Sequence, residues 1–215
     1  MSGRGLIGKK LRESRARFLR SEDGAGLVEF SLVVLLFLFL LFAIIDFGRL
    51  ANTWVEANKA TQLAARIAAV RPPVCARVPQ INERGTLTSP NFGTLCRAGS
   101  GTCADPGDVI CTGVAGDPTA DEIYARILPL LPPDTGIENL RFAYTPDPEL
   151  GFLGGPYVPM VTVELTGVEF SFVSQLGLII SALTGSGSTL GSAAIDVPGM
   201  SVSLPGEDLN LGTGG

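Results

Sequence analysis

Between Leu27 and Ile45 the sequence runs for 19 residues with one charge, Glu29. A helix of that length rises about 28 Å, close to the hydrocarbon thickness of a bilayer. The run is therefore predicted as a single transmembrane helix. A cleaved secretory signal has a shorter apolar region followed by a small-residue cut site. Here the run is longer and leaves through Asp46-Phe47-Gly48-Arg49, so a retained anchor is expected.

Charge is distributed unevenly about this span. Residues 1–24 hold seven Lys and Arg against three acids, and the net charge of −5 for the whole chain leaves −9 on everything after Gly24. A basic cluster abutting a membrane span acts as an orientation signal, which predicts a cytoplasmic leader and an exported remainder. Leu6, Ile7, Leu11, Phe18 and Leu19 allow the leader to form a short amphipathic helix on an anionic leaflet, and a flexible basic tail is the alternative. Nucleic acid is a poor partner for the acidic exported part, because phosphate neutralisation needs clustered Lys and Arg.

The chain has no histidine. That removes His-based acid–base catalysis, Ser-His and Cys-His pairs, and His-ligated metals, so no enzymatic activity and no cofactor are expected. Four cysteines, Cys75, Cys96, Cys103 and Cys111, lie on the exported side at spacings of 20, six and seven intervening residues. Those spacings lack the close C-x-x-C pairs of zinc sites, and an even count in an oxidising compartment favours disulfides; all three pairings remain open. The serines between Ser186 and Ser192 and the acids Asp105, Asp108, Asp117, Asp121 and Glu122 are read as solvated loops, since none has the alternating spacing of a calcium loop.

After the span, Leu50, Trp54, Ala57, Thr61, Ala64, Ile67 and Ala68 keep helical spacing and predict a helix unbroken from Ala25 to Val70, with this stripe packed against a folded body. Arg71-Pro72-Pro73 ends it. Residues 72–118 turn to Cys, Gly, Pro, Thr and Asp without periodicity and are expected to be a disulfide-tied insertion decorating the surface, the first region loosened by reduction. A short helix capped by Thr119 is expected to end at Pro132-Pro133, followed by strands near 137–144, 160–172 and 193–204, the last broken at Pro198-Gly199. The apolar run Phe172 to Leu183 is too short to span a bilayer and is read as a buried helix. Residues 205–215 are read as a flexible Gly-rich tail. The fold class is α+β: a long N-terminal transmembrane helix continuing into a body with a small antiparallel sheet and a disulfide-tied insertion. The expected parts are a leader (1–24), a transmembrane helix (25–46), its extramembrane continuation (47–71), the insertion (72–118), the body (119–204) and the tail.

The segment Gly24-Ala25-Gly26-Leu27-Val28-Glu29-Phe30, continued by Ser31-Leu32-Val33 and closed by Asp46-Phe47-Gly48-Arg49, resembles the start of TadE-like proteins, the minor pilins or pseudopilins of the Flp (tight adherence) pilus system. The resemblance covers about residues 24 to 70 and implies that the body after the helix is pilin-like. One departure is Leu35-Leu36 near the place where many members carry proline, which implies a straighter helix. The resemblance implies that a prepilin peptidase cuts after Gly24, making Ala25 the first residue and Glu29 the fifth, and that Glu29, followed by Phe30, pairs with the new α-amine of a neighbouring subunit. The partners it implies are that peptidase, the major Flp pilin, sister pseudopilins and an inner-membrane platform protein, with the chain passing once through a bacterial inner membrane and its C-terminal domain in the periplasm. Asp46 and Arg49 are spaced to pair on one helix face at the membrane exit. The rival reading is an uncleaved, single-span envelope protein whose exported domain binds an extracellular ligand or scaffold.

Overall fold

The structure is a computed structural model that describes residues 24–172, 194–207 and 209. The leader, the buried helix expected from Phe172 to Leu183, apart from Phe172 itself, and most of the tail lie outside the described residues. The chain divides into two compact units, one ending at Phe47 and the other beginning at Gly48.

Helix α1 runs from Ala25 to Val70 without interruption. In the first unit its apolar side chains are bare: Leu27, Phe30, Leu35, Leu36, Phe37 and Ile44 are all exposed. In the second unit its character changes. Ala57, Ala60, Thr61, Ala64, Ala65, Ala68 and Ala69 are buried on one face, spaced three and four residues apart. Small side chains on that face let the helix backbone approach a sheet closely. The expected stripe holds at Ala57, Thr61, Ala64 and Ala68, while Leu50 and Ile67 are half-buried. Trp54 is a correction: it is 52% exposed. It shares the angular sector of the alanines but precedes Ala57, the first of them, by a turn, so helical periodicity alone could not tell that the packed zone starts after it.

The sheet receiving this helix has four antiparallel strands in the order β1 (Val109–Thr112), β2 (Leu140–Thr145), β3 (Met160–Leu165), β6 (Met200–Pro205). Strict alternation sends Leu140, Phe142 and Tyr144 of β2 and Val161, Val163 and Leu165 of β3 into the core, facing one another as Leu140↔Leu165, Phe142↔Val163 and Tyr144↔Val161. The opposite face is polar. There Arg141 meets Glu164 at 2.9 Å, and Thr162 shares a 2.7 Å hydrogen bond with Ser203. A second, two-stranded antiparallel sheet pairs β4 (Glu169–Ser171) with β5 (Ala194–Asp196). The strand expected over 160–172 is thus two strands separated around Gly167, which has φ +65°. The one expected over 193–204 is likewise two, divided at Pro198-Gly199.

The insertion differs from expectation. It supplies β1, which pairs with β2 along the edge of the main sheet, so part of it belongs to the body rather than decorating the surface. Its remainder is laced to the 151–157 loop. The Asn82 N–H donates to the Gly155 carbonyl at 2.8 Å, the Leu153 N–H to Thr94 at 2.8 Å, and the Tyr157 N–H to Gln80 at 3.0 Å. Gly154 allows the approach: its φ is +80°, and a Cβ there would lie 2.5 Å from the ring of Phe92. Single bridges of this kind leave no alternation in the sequence.

Helix α2 (Pro118–Ile127) is capped by Asp117, whose Oδ1 accepts the Ala120 N–H at 2.8 Å, with proline in its first turn. This corrects the Thr119 cap: a carboxylate preceding proline satisfies the helix start better, and Thr119 is buried instead. Ile123 and Ile127 carry α2 into the core shared by the alanine face and the sheet.

Three ties fix the end of α1. Cys75 is bonded to Cys111 in β1, joining the chain just past the helix to the sheet edge. Arg71 grips Glu122 of α2 through Nε and Nη2 at 3.0 and 3.3 Å. The Ala69 carbonyl, one of the acceptors a helix end leaves unpaired, takes the Glu207 N–H at 2.6 Å. The second disulfide, Cys96–Cys103, closes a short loop within the insertion.

Tyr144 is fully buried, and its hydroxyl accepts the Val74 N–H at 3.1 Å. Burial pushes this phenol up to about 12; the Val74 hydrogen bond works in the opposite direction, and the Asp117 charge adds to the rise. The folded state therefore holds the proton more tightly than the unfolded chain. The resulting stability is whole below the ordinary tyrosine pKa of 10.0 and is lost as pH rises from there through about 12. Alkaline unfolding, followed by near-ultraviolet circular dichroism of the body, should begin within that window. Tyr144→Phe should flatten the pH slope while costing about 1 kcal/mol for the orphaned Val74 N–H.

The disulfides differ in the loops they close, with sequence separations of 36 and seven. Replacing Cys75 and Cys111 together by Ala should destabilise the body by about 4 kcal/mol, and replacing Cys96 and Cys103 by about 2.5 kcal/mol, by loop-closure entropy. Denaturant titration of the full chain in detergent checks both the sizes and their order.

Candidate membrane anchor and assembly motif

The functional residues expected from sequence fall on α1, and the backbone there is what positions them. One helix among the described residues is long and apolar enough to cross a membrane, and its most apolar window has a mean hydropathy of 3.0 with none of it buried. Bulky side chains face outward all round: Leu35, Leu36, Phe37, Leu38, Phe39 and Leu40 are consecutive and exposed. In water such a surface would forfeit about 1.5–3 kcal/mol for each large side chain left unburied. A lipid environment removes that cost.

Gly24 immediately precedes the helix, and a Cβ added at Gly24 or Gly26 would meet nothing within 4 Å. Among the described residues the start of the helix is therefore sterically open. Glu29 lies near the helix start, exposed, with Phe30 beside it also exposed. A carboxylate near a helix N-terminus complements the macrodipole and, in an apolar helix, is costly unless it is near water or partnered. Ser31 turns its hydroxyl back onto the Val28 carbonyl at 2.8 Å, which hides a polar group on the apolar surface.

At the other end of the apolar stretch, Asp46 is 2% exposed while its neighbours Ile45 and Phe47 are exposed. Gly48 presents no side chain to its surroundings. Arg49 lays its guanidinium over the Phe170 ring of β4, 5.5 Å from the centroid, and Phe170 meets Phe172 edge-on at 5.2 Å. Phe170 is 121 positions from Arg49 in the chain, so this contact left no local signal in the sequence. The four cysteines, the remaining expected site residues, lie in the body as the two disulfides described above.

Residues 24–66 match the family model of TadE-like proteins. The chain carries a TadE-like segment. The matched residues take in the open start, the whole bare apolar stretch, the exit motif and most of the alanine face, which supports a TadE-like protein of the Tad/Flp pilus system. No curated protein and no solved structure matches the chain. The TadE-like segment thus ends inside α1, and the disulfide-tied body beyond it is outside the match.

An anchor held by apolar contact should fail when a charge enters its middle. Leu36→Lys places an ammonium at the centre of the stretch, at a cost of about 2.5–3.5 kcal/mol for insertion. Alkaline carbonate extraction of membranes should release this variant more readily than the parent chain, whereas Leu36→Phe should remain membrane-bound.

Proposed function

We propose that this chain is a minor pilin or pseudopilin of a Flp-type pilus, with a structural rather than catalytic role in its assembly, supporting surface adhesion or secretion. The observation that carries the reading is one continuous helix, Ala25–Val70, whose first half is bare and apolar, whose second half is the spine of a folded body, and whose start falls directly after Gly24 with Glu29 five positions on. A free-standing anchor needs only the first half. A subunit drawn out of a membrane into a helical bundle of like subunits needs both, because the apolar half must then be covered by neighbours while the body stays attached.

In this reading a prepilin peptidase cuts after Gly24, and the Glu29 carboxylate pairs with the α-amine of Ala25 on an adjacent subunit, setting the stagger between helices. The basic leader stays cytoplasmic and the body is periplasmic, where disulfides persist. The major Flp pilin, sister pseudopilins and the inner-membrane platform protein are the partners. The absence of histidine from the sequence supports a non-enzymatic role.

Intact mass and N-terminal sequencing of the protein from membranes of a host carrying its own pilus genes test this. The expected chain begins at Ala25, and Gly24→Asp should accumulate as full-length precursor. A mature chain that keeps Arg4 to Arg20 would instead favour an uncleaved, anchored envelope protein.

A further inference from the structure

The insertion presents an apolar patch that the described residues of the body leave bare. Ile81, Phe92, Leu95 and Phe152 are large, hydrophobic and exposed, Phe92 to 75%. Two isolated antiparallel bridges, Ile81↔Pro156 and Leu95↔Phe152, lay the insertion alongside the 151–157 loop. Residues directly opposed across such a bridge share a face, so Leu95 and Phe152 stand side by side. Phe92 adjoins them. Its ring lies over Gly154 and that of Phe152 over Gly155, where an added Cβ would in each case come 2.5 Å from the ring.

The patch is ordered as well as bare. The Arg84 guanidinium lies 5.2 Å from the Phe92 centroid and donates through Nη1 to the Pro90 carbonyl at 2.6 Å, which holds the loop that carries the ring. The Gly93 N–H donates to the Leu153 carbonyl at 2.9 Å and the Cys96 N–H to Gly151 at 3.2 Å, and the Cys96–Cys103 disulfide closes the loop beyond. Contiguous apolar surface with a polar rim marks an interaction site, and aromatic residues and Arg are enriched at the centre of protein interfaces. A surface already fixed gives up little entropy on docking.

The charges on the rim point to the occupant. Past the Leu95↔Phe152 bridge one segment carries Arg97 and the other carries Glu149 and Asp147, and all three residues line one cavity. The rim therefore holds both signs, one on each of two segments lying side by side. A two-fold axis running along the bridge between those segments exchanges them. It sets Leu95 of one copy on Phe152 of the other, and Arg97 on the acids of the other. We infer that this patch docks on the same patch of a second copy of the chain, forming a closed two-fold dimer of bodies. Such a contact is self-complementary and buries both patches at once. An anionic lipid surface is the poorer occupant, because it would repel the acids of the rim. The contact lies in the body beyond the TadE-like segment, and it depends neither on removal of the leader nor on entry into a pilus.

The test uses the full chain in detergent, labelled at the N-terminal amine with donor or acceptor dye and kept with micelles in excess. Energy transfer should rise saturably with protein concentration. Phe92→Ala should weaken self-association by roughly tenfold or more, as for loss of a central aromatic anchor. Arg97→Glu alone and Glu149→Arg alone should each weaken it too, because each sets like charges across the axis. An equimolar mixture of these two variants should regain the parental affinity, since in the mixed pair Arg again faces Glu at both places. Near-ultraviolet circular dichroism checks that each variant is folded; should Phe92→Ala misfold, the charge mixture decides alone. A chain that stays monomeric, which would leave the patch to a different protein, a folded Phe92→Ala that associates like the parent, or a mixture no tighter than its components would each overturn the inference.

Discussion

A helix that is greasy on every side for its first half and alanine-faced for its second must satisfy two solvents along one backbone. The hydrogen bonds of α1 are internal throughout, so the same ladder serves in lipid and against a sheet. What changes along it is only the side chains, from Leu and Phe between Leu27 and Phe47 to a buried row of Ala from Ala57 to Ala69. Large residues suit a fluid surround that moulds itself to them. Small ones suit a rigid partner, since a sheet packed on alanine can come close without voids.

The rest of the body follows from holding the lower end of that helix. The sheet offers Leu140, Phe142, Tyr144, Val161 and Val163 to the alanine face, and α2 adds Ile123 and Ile127 to the same cluster. Arg71–Glu122, Cys75–Cys111 and the Glu207 N–H on the Ala69 carbonyl then bind the helix end to α2, to one sheet edge and to the segment after β6. β1 and β6 are the outer strands of the sheet, so two of these ties reach its opposite margins. Tension on the helix would therefore be shared across the sheet rather than borne by one contact.

The features legible in the sequence were those written in local periodicity or composition. Hydropathy marked the span, the three-and-four spacing of Ala57, Thr61, Ala64 and Ala68 marked the packed face, and Pro72-Pro73 marked the stop. Alternation in Val161, Val163 and Leu165 marked the central strand. The features missed were pairings between distant segments. β1 is four residues inside a Gly- and Pro-rich stretch and becomes a strand because β2 lies beside it. The contact of the Arg49 guanidinium with the Phe170 ring and the hydrogen bond of Tyr144 with the Val74 backbone are not implied by spacing. A cavity between the Cys96–Cys103 loop and the Pro146–Leu150 loop is of the same kind: its walls come from around Asn82, Asp105 and Asp147, segments far apart in the sequence. Composition did identify the cysteines, but their pairing waited for the geometry that puts Cys75 beside β1.

The central claim, one helix protected by lipid along its first half and by the body along its second, is tested most directly by hydrogen exchange with mass spectrometry on the full chain in lipid nanodiscs. Peptides from 27–45 and from 57–69 should both be protected. Reduction with mild denaturant should release exchange in 57–69 while 27–45 stays protected. Rapid exchange across 27–45 in the intact nanodisc, or release of both stretches together when only the body unfolds, would contradict the account.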